Sequence, residues 1–278
     1  MWPFDRIGRG PDNEVLRIGR IAAERWARSS AGLTVTASAA LPTGRSLKPS
    51  DLAPAIAELY RDKPSAGISL VLESAWLPIM LVDTGTSVLS TRQIQMLVRH
   101  RLGLLYGASD DPVSGWDVRV EHRAGDRHAL GYGLSGRLKD VLLATAQSVG
   151  IEWRAMTPAF DWGRQQLRPD ARLRQQPGWW VWTEQDRLLV ARMASGRVVG
   201  LNPGAQSADA QDAVLDHVRT EQVRLGLEPN TDPVLVGHWG PSRAPKRLVD
   251  RVVWRGLGAS AGSIARTSST PRAAEAPT

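Results

Sequence analysis

Residues 179–202 read WWVWTEQDRLLVARMASGRVVGLN, and the division of this stretch decides the fold. Trp179–Thr183, Arg187–Ala194 and Arg197–Leu201 are short runs rich in Val, Leu and Trp, separated by the polar residues Glu184-Gln185-Asp186 and by Gly196. Closely spaced β-favouring runs broken by turn residues predict three consecutive strands. After them the period changes. Ala213, Val214, His217, Val218 and Val223 recur at roughly helical spacing within Asp209–Leu225, Gly226 closes that helix, and Val234–Trp239 reads as a strand again. The order is strand, strand, strand, helix, strand.

The same order begins at residue 14. Val15–Ala22, Glu24–Ser29 and Leu33–Ala39 read as strands. Pro49-Ser50-Asp51 then supplies N-cap chemistry for a helix carrying Leu52, Ile56, Leu59 and Tyr60, which Lys63-Pro64 stops. Ile68–Leu72 is a buried strand after it. The repeat is one of architecture and not of residues.

Between the two copies, Trp76–Val82 reads as a strand, Ser90 or Thr91 caps a helix reaching about Leu105, and Tyr106–Pro112 is a loop by composition. Trp116–His122 and His128–Leu134 form a hairpin around Ala124-Gly125-Asp126. Leu138, Val141, Leu142, Thr145 and Ala146 are the apolar face of a helix ending at Gly150, where a left-handed C-cap is expected. Ile151–Met156 is a short strand, Pro158 stands in the first turn of a helix, and Arg168–Pro177 is a polar linker. From Gly256 onward Ala, Ser, Thr, Arg and Pro dominate, a composition too poor in apolar residues to fold. The expected domains are an N-terminal extension (1–10), a first lobe (11–168) with an inserted subdomain at about 76–123, a second lobe (178–254) and a disordered tail (255–278).

Composition narrows the function. A chain of 278 residues with 42% hydrophobic content can bury a substantial core. The net charge of +7 invites a nucleic-acid reading. Yet all basic residues except Lys48, Lys63, Lys139 and Lys246 are arginine, and Arg17, Arg61, Arg119, Arg164 and Arg224 are scattered among acids instead of forming one run, so no nucleic-acid partner is expected. The absence of cysteine removes disulfides, thiol nucleophiles and thiolate metal sites. The opening MWPFDRIGRG has no apolar core of a signal peptide. The longest apolar stretch, Gly67–Leu89, is interrupted by Glu73, Pro78 and Asp83, short of the roughly 20 uninterrupted residues a span needs. The expectation is a soluble cytoplasmic protein with no direct membrane insertion, reaching a membrane only through a partner.

Three motifs invite a chemical reading. Leu81-Val82-Asp83-Thr84-Gly85-Thr86-Ser87-Val88-Leu89 resembles the active-site loop of aspartic proteases, whose chemistry needs two aspartates sharing a proton. A single copy would act only in a dimer, and a strand-to-helix turn with capping chemistry is favoured. Gly131-Tyr132-Gly133-Leu134-Ser135-Gly136 satisfies GxGxxG, but its strand is short and charged and no acid ends the next one. Close approach of hairpin and helix is the preferred account. His122 and His128 could face one another across the hairpin, without further ligands at a recognisable spacing. Trp179, Trp180 and Trp182 suggest a stacking platform, yet neighbouring strand residues point to opposite faces, so core and inter-lobe packing is expected. No catalytic, cofactor-binding or metal-binding residue is assigned.

From about Leu70 to Leu201 the succession resembles the cytoplasmic actin-like module of the PilM and GspL families. The resemblance is carried by Trp76-Leu77-Pro78, Arg101-Leu102-Gly103-Leu104-Leu105-Tyr106-Gly107, Trp116-Asp117-Val118-Arg119, the strand and helix of His128–Gly150, Met156-Thr157-Pro158-Ala159-Phe160 and Trp179–Asn202. It implies an α/β, two-lobed actin-like (RNase H-like) fold with repeated βββαβ units. Members that bind ATP hold it between the lobes, on an acidic, glycine-containing turn after the first strand of each lobe. In this chain the corresponding turns, Arg20-Ile21-Ala22-Ala23-Glu24 and Thr183-Glu184-Gln185-Asp186, lack that order, and the adenosine-contacting double glycine is reduced to the separated glycines of Val236-Gly237-His238-Trp239-Gly240. The resemblance therefore implies a non-catalytic scaffold without cofactor, at the inner-membrane assembly platform of a type IV pilus or type II secretion system. Its implied partners are the cytoplasmic segment of a PilN-like bitopic protein, the assembly ATPase, or both. The alternatives are an ATP-binding PilM-like protein and a retropepsin-like protease using Asp83.

Overall fold

In a computed structural model of the chain, residues 14–258 are described except 31, 45, 62–66, 86–87, 107–114, 124, 168–176, 206–210, 229–231 and 242–251. The N-terminal extension, the polar linker except Pro177, and the tail beyond residue 258 lie outside the described residues.

The first lobe is built on β1 (Glu14–Ile18), β2 (Ala22–Ser29), β3 (Gly32–Ala40), β4 (Ile68–Leu72) and β8 (Trp153–Pro158). The second uses β9 (Gly178–Thr183), β10 (Arg187–Ala194), β11 (Arg197–Ala205), β12 (Val234–Pro241) and β13 (Val252–Gly258). In both, the first three strands are antiparallel neighbours and the fourth and fifth add parallel beyond the first. The spatial order third, second, first, fourth, fifth is thus repeated. The two halves join in a ten-stranded sheet, where among the described residues Gly258 of β13 pairs with Leu33 of β3.

Local chemistry explains the elements. β4, Ile-Ser-Leu-Val-Leu, lies between two parallel neighbours and is buried at all five positions, as a strand covered on both faces must be. α1 (Leu52–Tyr60) and α3 (Gly136–Val149) pack together on the first lobe. Ser135 caps α3 by accepting from the Leu138 amide at 3.2 Å, and Gly150 ends it at φ 68°, the expected left-handed cap. α4 (Ala159–Gln166) follows β8, with Pro158 at its N-cap, and α5 (Gln211–Arg224) packs against β10.

Between β4 and α3 stands a smaller unit. β5 (Ile79–Asp83), β7 (His128–Ser135) and β6 (Trp116–Glu121) form an antiparallel sheet in the order β5-β7-β6, and α2 (Thr91–Tyr106) covers it. Its second hairpin strand extends to Ser135, beyond the boundary expected near residue 123, because β7 pairs with both β5 and β6 and cannot be separated from them. Gly131 and Gly133 let the helix come close: a Cβ would lie 2.6 Å from Val98 Cγ2 at the first and 2.3 Å from Leu102 Cδ1 at the second.

Three further boundaries differ from the sequence reading. Val15–Ala22 is not one strand, since β1 stops at Ile18 and residues 19–21 turn the chain into β2. Trp76–Val82 begins late because Trp76 and Leu77 close a turn on the Glu73 carbonyl, at 2.9 and 3.0 Å. β13 runs through residues 255–258, which composition assigned to the tail; its partners β12 and β3 supply the backbone pairing that local composition does not announce.

Candidate functional site

The first strands of the two lobes run into turns that face each other. In the first lobe the β1–β2 turn is closed by the Gly19 amide on the Ala22 carbonyl at 3.0 Å, and its Gly19 carbonyl accepts from Trp76 Nε1 at 2.7 Å. In the second, the β9–β10 turn presents Glu184, Gln185 and Asp186. The Gln185 side chain enters the opposing turn. Its Oε1 accepts from the amides of Ile21 at 2.7 Å and Ala22 at 2.9 Å, and its Nε2 donates to the Ala22 carbonyl at 3.2 Å. A Cβ on Gly19 would stand 2.2 Å from Gln185 Oε1, so this close seating requires glycine there. Two consecutive amides converging on one oxygen are the recognition a phosphate oxygen would receive; here they are occupied by the chain itself.

Directly behind lies a charged cluster spanning both lobes. Glu73, at the end of β4 and wholly buried, accepts from Arg17 Nε at 2.8 Å and from the Gln185 amide at 3.0 Å. Arg17 also reaches Glu24 at 3.0 Å. Glu184, likewise buried, accepts from the Ser74 amide at 2.9 Å and from the Ser74 hydroxyl. Asp186 pairs with Arg187 at 3.2 Å and Arg20 at 3.5 Å. The carboxylates of Glu73, Glu184 and Asp186 lie within 4.8 Å of one another, a donor set of the kind hard cations use, yet each is already satisfied by arginine, serine or backbone donors. Burial, and then the Glu73 charge, raise the Glu184 carboxyl to about 8; burial also raises Glu73, against the pull of Arg17.

Beside this cluster the space between the lobes is filled with indole. Trp239 of β12 stacks on Trp162 of α4 at 4.8 Å, meets Trp26 of β2 at 5.3 Å and the edge of Trp182 of β9 at 6.1 Å. The Arg17 guanidinium covers its ring at 4.8 Å. Gly163 of α4 admits Trp182, whose ring would be 2.3 Å from an added Cβ. The region where the sequence pattern placed degenerate adenosine contacts is therefore occupied by aromatic side chains from both lobes.

The remaining sequence candidates fall elsewhere. Asp83 ends β5 at an exposed edge, where its partners are the Gly85 amide at 2.7 Å and Arg127 at 3.2 Å; the Gly85 amide first, then Arg127, lower its pKa. These are turn and surface partners, not a second aspartate. His128 is opposite Asp83 and Glu121 is opposite Leu130, so register does not make His122 and His128 cross-strand partners. The GxGxxG segment is the strand under α2, its first two glycines making room for that helix. Trp179 joins the cluster on one side of β9 while Trp180 and Trp182 join the core on the other. Sequence reasoning quoted Glu184 and Gln185 only as a degenerate turn and Arg17 only as one of the scattered basic residues; a signal was present in Glu73 and Glu184, acids that each directly follow a buried strand.

No family model matches the chain, and the search of curated proteins returned no match. Among solved structures, the PilM–PilN type IV pilus biogenesis complex matches at TM-score 0.55 and 11% identity, over 82% of this chain and 81% of that one. A protein of Bacteroides thetaiotaomicron with an actin-like ATPase fold matches at TM-score 0.51 and 9% identity, over 85% and 82%. The fold is actin-like. The cytoplasmic domain of EpsL, an inner-membrane component of the type II secretion system of Vibrio cholerae, is similar at TM-score 0.49 and 14% identity, over 88% of each chain. At such identities the chain shares architecture with the first two of these proteins, and its chemistry must be read from its own residues.

Proposed function

We propose that this actin-like chain is a non-catalytic scaffold of the inner-membrane assembly platform of a type IV pilus or type II secretion system, docking the cytoplasmic segment of a PilN-like bitopic protein, the assembly ATPase, or both. The observation that carries the reading is the closed cleft: Gln185 sits on the Ile21 and Ala22 amides and Trp239 is stacked on Trp162, so both ends of a nucleotide would meet protein. The fold shared with the PilM–PilN type IV pilus biogenesis complex and the PilM/GspL-like blocks between Leu70 and Leu201 support the choice of system. The role proposed is that of a subunit recruited to the platform by its partners; among the described residues no helix is long and apolar enough to cross a membrane.

Calorimetric titration with ATP and magnesium tests the closed cleft; the expected result is no saturable heat. Saturable binding at micromolar nucleotide would instead favour the ATP-binding PilM-like alternative. Docking is tested separately by fluorescence anisotropy with a labelled peptide from the N-terminal cytoplasmic segment of a PilN-like protein encoded beside this one. Saturable binding is expected, and its absence with both that peptide and the assembly ATPase would overturn the platform role.

A further inference from the structure

The helix of the small unit has two apolar faces, and the fold uses one. Ile94, Val98 and Leu102 of α2 are wholly buried against Val82, Val118 and Ala129. Yet Met96 is 55% exposed, Leu104 72%, Leu105 69% and Tyr106 56%, and Val88, just before the helix, is 85% exposed. Arg92, Met96, His100 and Leu104 follow one another at the spacing that aligns residues on one helix face, and all four are exposed. Arg101 and Leu105 are exposed on the neighbouring stripe, while Tyr106 packs on Trp116 at a ring separation of 6.0 Å.

The charge on this helix has one sign. α2 contains Arg92, Arg99, His100 and Arg101 and no acid. The nearest acids in sequence are Asp83, already paired with Arg127, and Asp110 and Asp111 beyond the end of the helix. A solvent-exposed helix face ordinarily mixes charges and leaves few large apolar side chains uncovered. Cations interleaved with Met and Leu complement a surface that is both negative and apolar. The face is the outer side of a helix lying on a three-stranded sheet, and so a convex ridge. A peptide is usually held in a groove or on a strand edge, whereas a ridge of this kind matches the boundary between headgroups and acyl chains.

We propose that the outer face of α2 is a membrane-surface contact that adsorbs to anionic phospholipid, with Met96 and Leu104 entering the interface and Arg92, His100 and Arg101 over the headgroups. The contact is peripheral and needs no spanning segment. It stands independently of docking to a PilN-like protein, since it is carried by α2 alone, and either could fail without the other.

Flotation of the full chain with vesicles tests it. Neutral phosphatidylcholine vesicles are compared with vesicles in which about a third of the lipid is phosphatidylglycerol, at low and at high salt. Binding at least tenfold stronger to the anionic vesicles, and lost at high salt, is expected. Replacing both arginines (Arg92→Gln with Arg101→Gln) should weaken binding by roughly 25-fold, at roughly fivefold per arginine near an anionic surface. Met96→Ser with Leu104→Ser should abolish it while leaving circular dichroism unchanged, because neither side chain belongs to the buried face. Equal binding to both vesicles, no binding to either, or variants that bind like the parent would overturn the proposal. So would light scattering that shows a dimer broken by Leu104→Ser without any lipid binding, since the face would then belong to a second copy of the chain.

Discussion

Replacing Gln185 with alanine removes the side chain that closes the cleft and leaves its backbone amide on Glu73. Three hydrogen bonds are lost, two from Ile21 and Ala22 to Oε1 and one from Nε2 to the Ala22 carbonyl. Ile21 is 47% exposed, so water can replace part of what is lost, and the net contribution of each bond falls near the lower half of the usual range. The expected destabilisation is about 2 kcal/mol, or a fall in melting temperature of about 4–8 °C for a chain of this size. Gly19→Ala approaches the same contact from the other side, because its Cβ would stand 2.2 Å from Gln185 Oε1 and 2.6 Å from Glu73 Oε2. Alone it should cost about 1–3 kcal/mol as overpacking. With Gln185→Ala also present, the nearer obstacle is gone and only Glu73 remains, so the two losses should fall short of their sum by about 1 kcal/mol. Urea unfolding of the parent, both single variants and the double variant measures this. Strict additivity, or a Gln185→Ala variant as stable as the parent, would refute the seating of Gln185 between the lobes.

Other consequences follow from the same geometry. Glu184, with its carboxyl raised from 4.5 to about 8, keeps its proton in the folded chain where the unfolded chain has lost it, so stability should fall as pH rises between those values, by at most about 1.4 kcal/mol per pH unit. Urea midpoints at pH 6, 7 and 8 should show that slope and Glu184→Gln should flatten it; a variant with the parent's slope would contradict it. Gly163→Ala drives a methyl group into the Trp182 ring and should destabilise by about 1–3 kcal/mol, with a change in the near-ultraviolet tryptophan bands; an unchanged spectrum would mean that α4 does not press on that ring. Asp83→Asn should leave binding of a PilN-like peptide unchanged and remove no pepstatin-sensitive peptidase activity; loss of such an activity would revive the protease reading.

The doubled strand order was legible because it rests on local signals: alternating or continuous apolar runs, a helix start at Pro49-Ser50-Asp51, where Asp51 is the N-cap although its side chain accepts from the Lys48 amide, and a terminal Gly150. The fifth strand of the second lobe was not. β13 reads Val-Val-Trp-Arg-Gly-Leu-Gly, half of it falling where Gly, Ala, Ser and Arg already suggested a tail, and its partners come from β12 and, across the lobes, β3. Pairing with strands distant in sequence leaves no periodic mark in the strand itself. The cleft shows the same division. That the turns at residues 20–24 and 183–186 lack phosphate-binding order is visible in the letters, but that Gln185 crosses to the Ile21 and Ala22 amides depends on bringing together positions 164 and 163 apart. Gly19 and Gly163 were likewise unremarkable until the side chains they admit were placed.

The filling of the cleft also bears on what such a fold can still do. A two-lobed protein that takes a ligand between its halves needs a space there that can open. Here one hydrophobic core contains Val15, Leu16 and Leu70 of the first lobe together with Trp180, Trp182, Leu189 and Leu235 of the second. Trp239, packed against that core, lies against Trp26 and Trp162 from the opposite lobe. Separating the lobes would return these indoles to water, at roughly 25 cal/mol for each Å² of apolar surface exposed, and would leave Glu73 and Glu184 without donors that now reach them across the junction. Both costs oppose opening and favour the closed arrangement, in which partners engaged on the two lobes would be held at a fixed separation. On the scaffold role proposed above, that fixed spacing is what the chain would contribute.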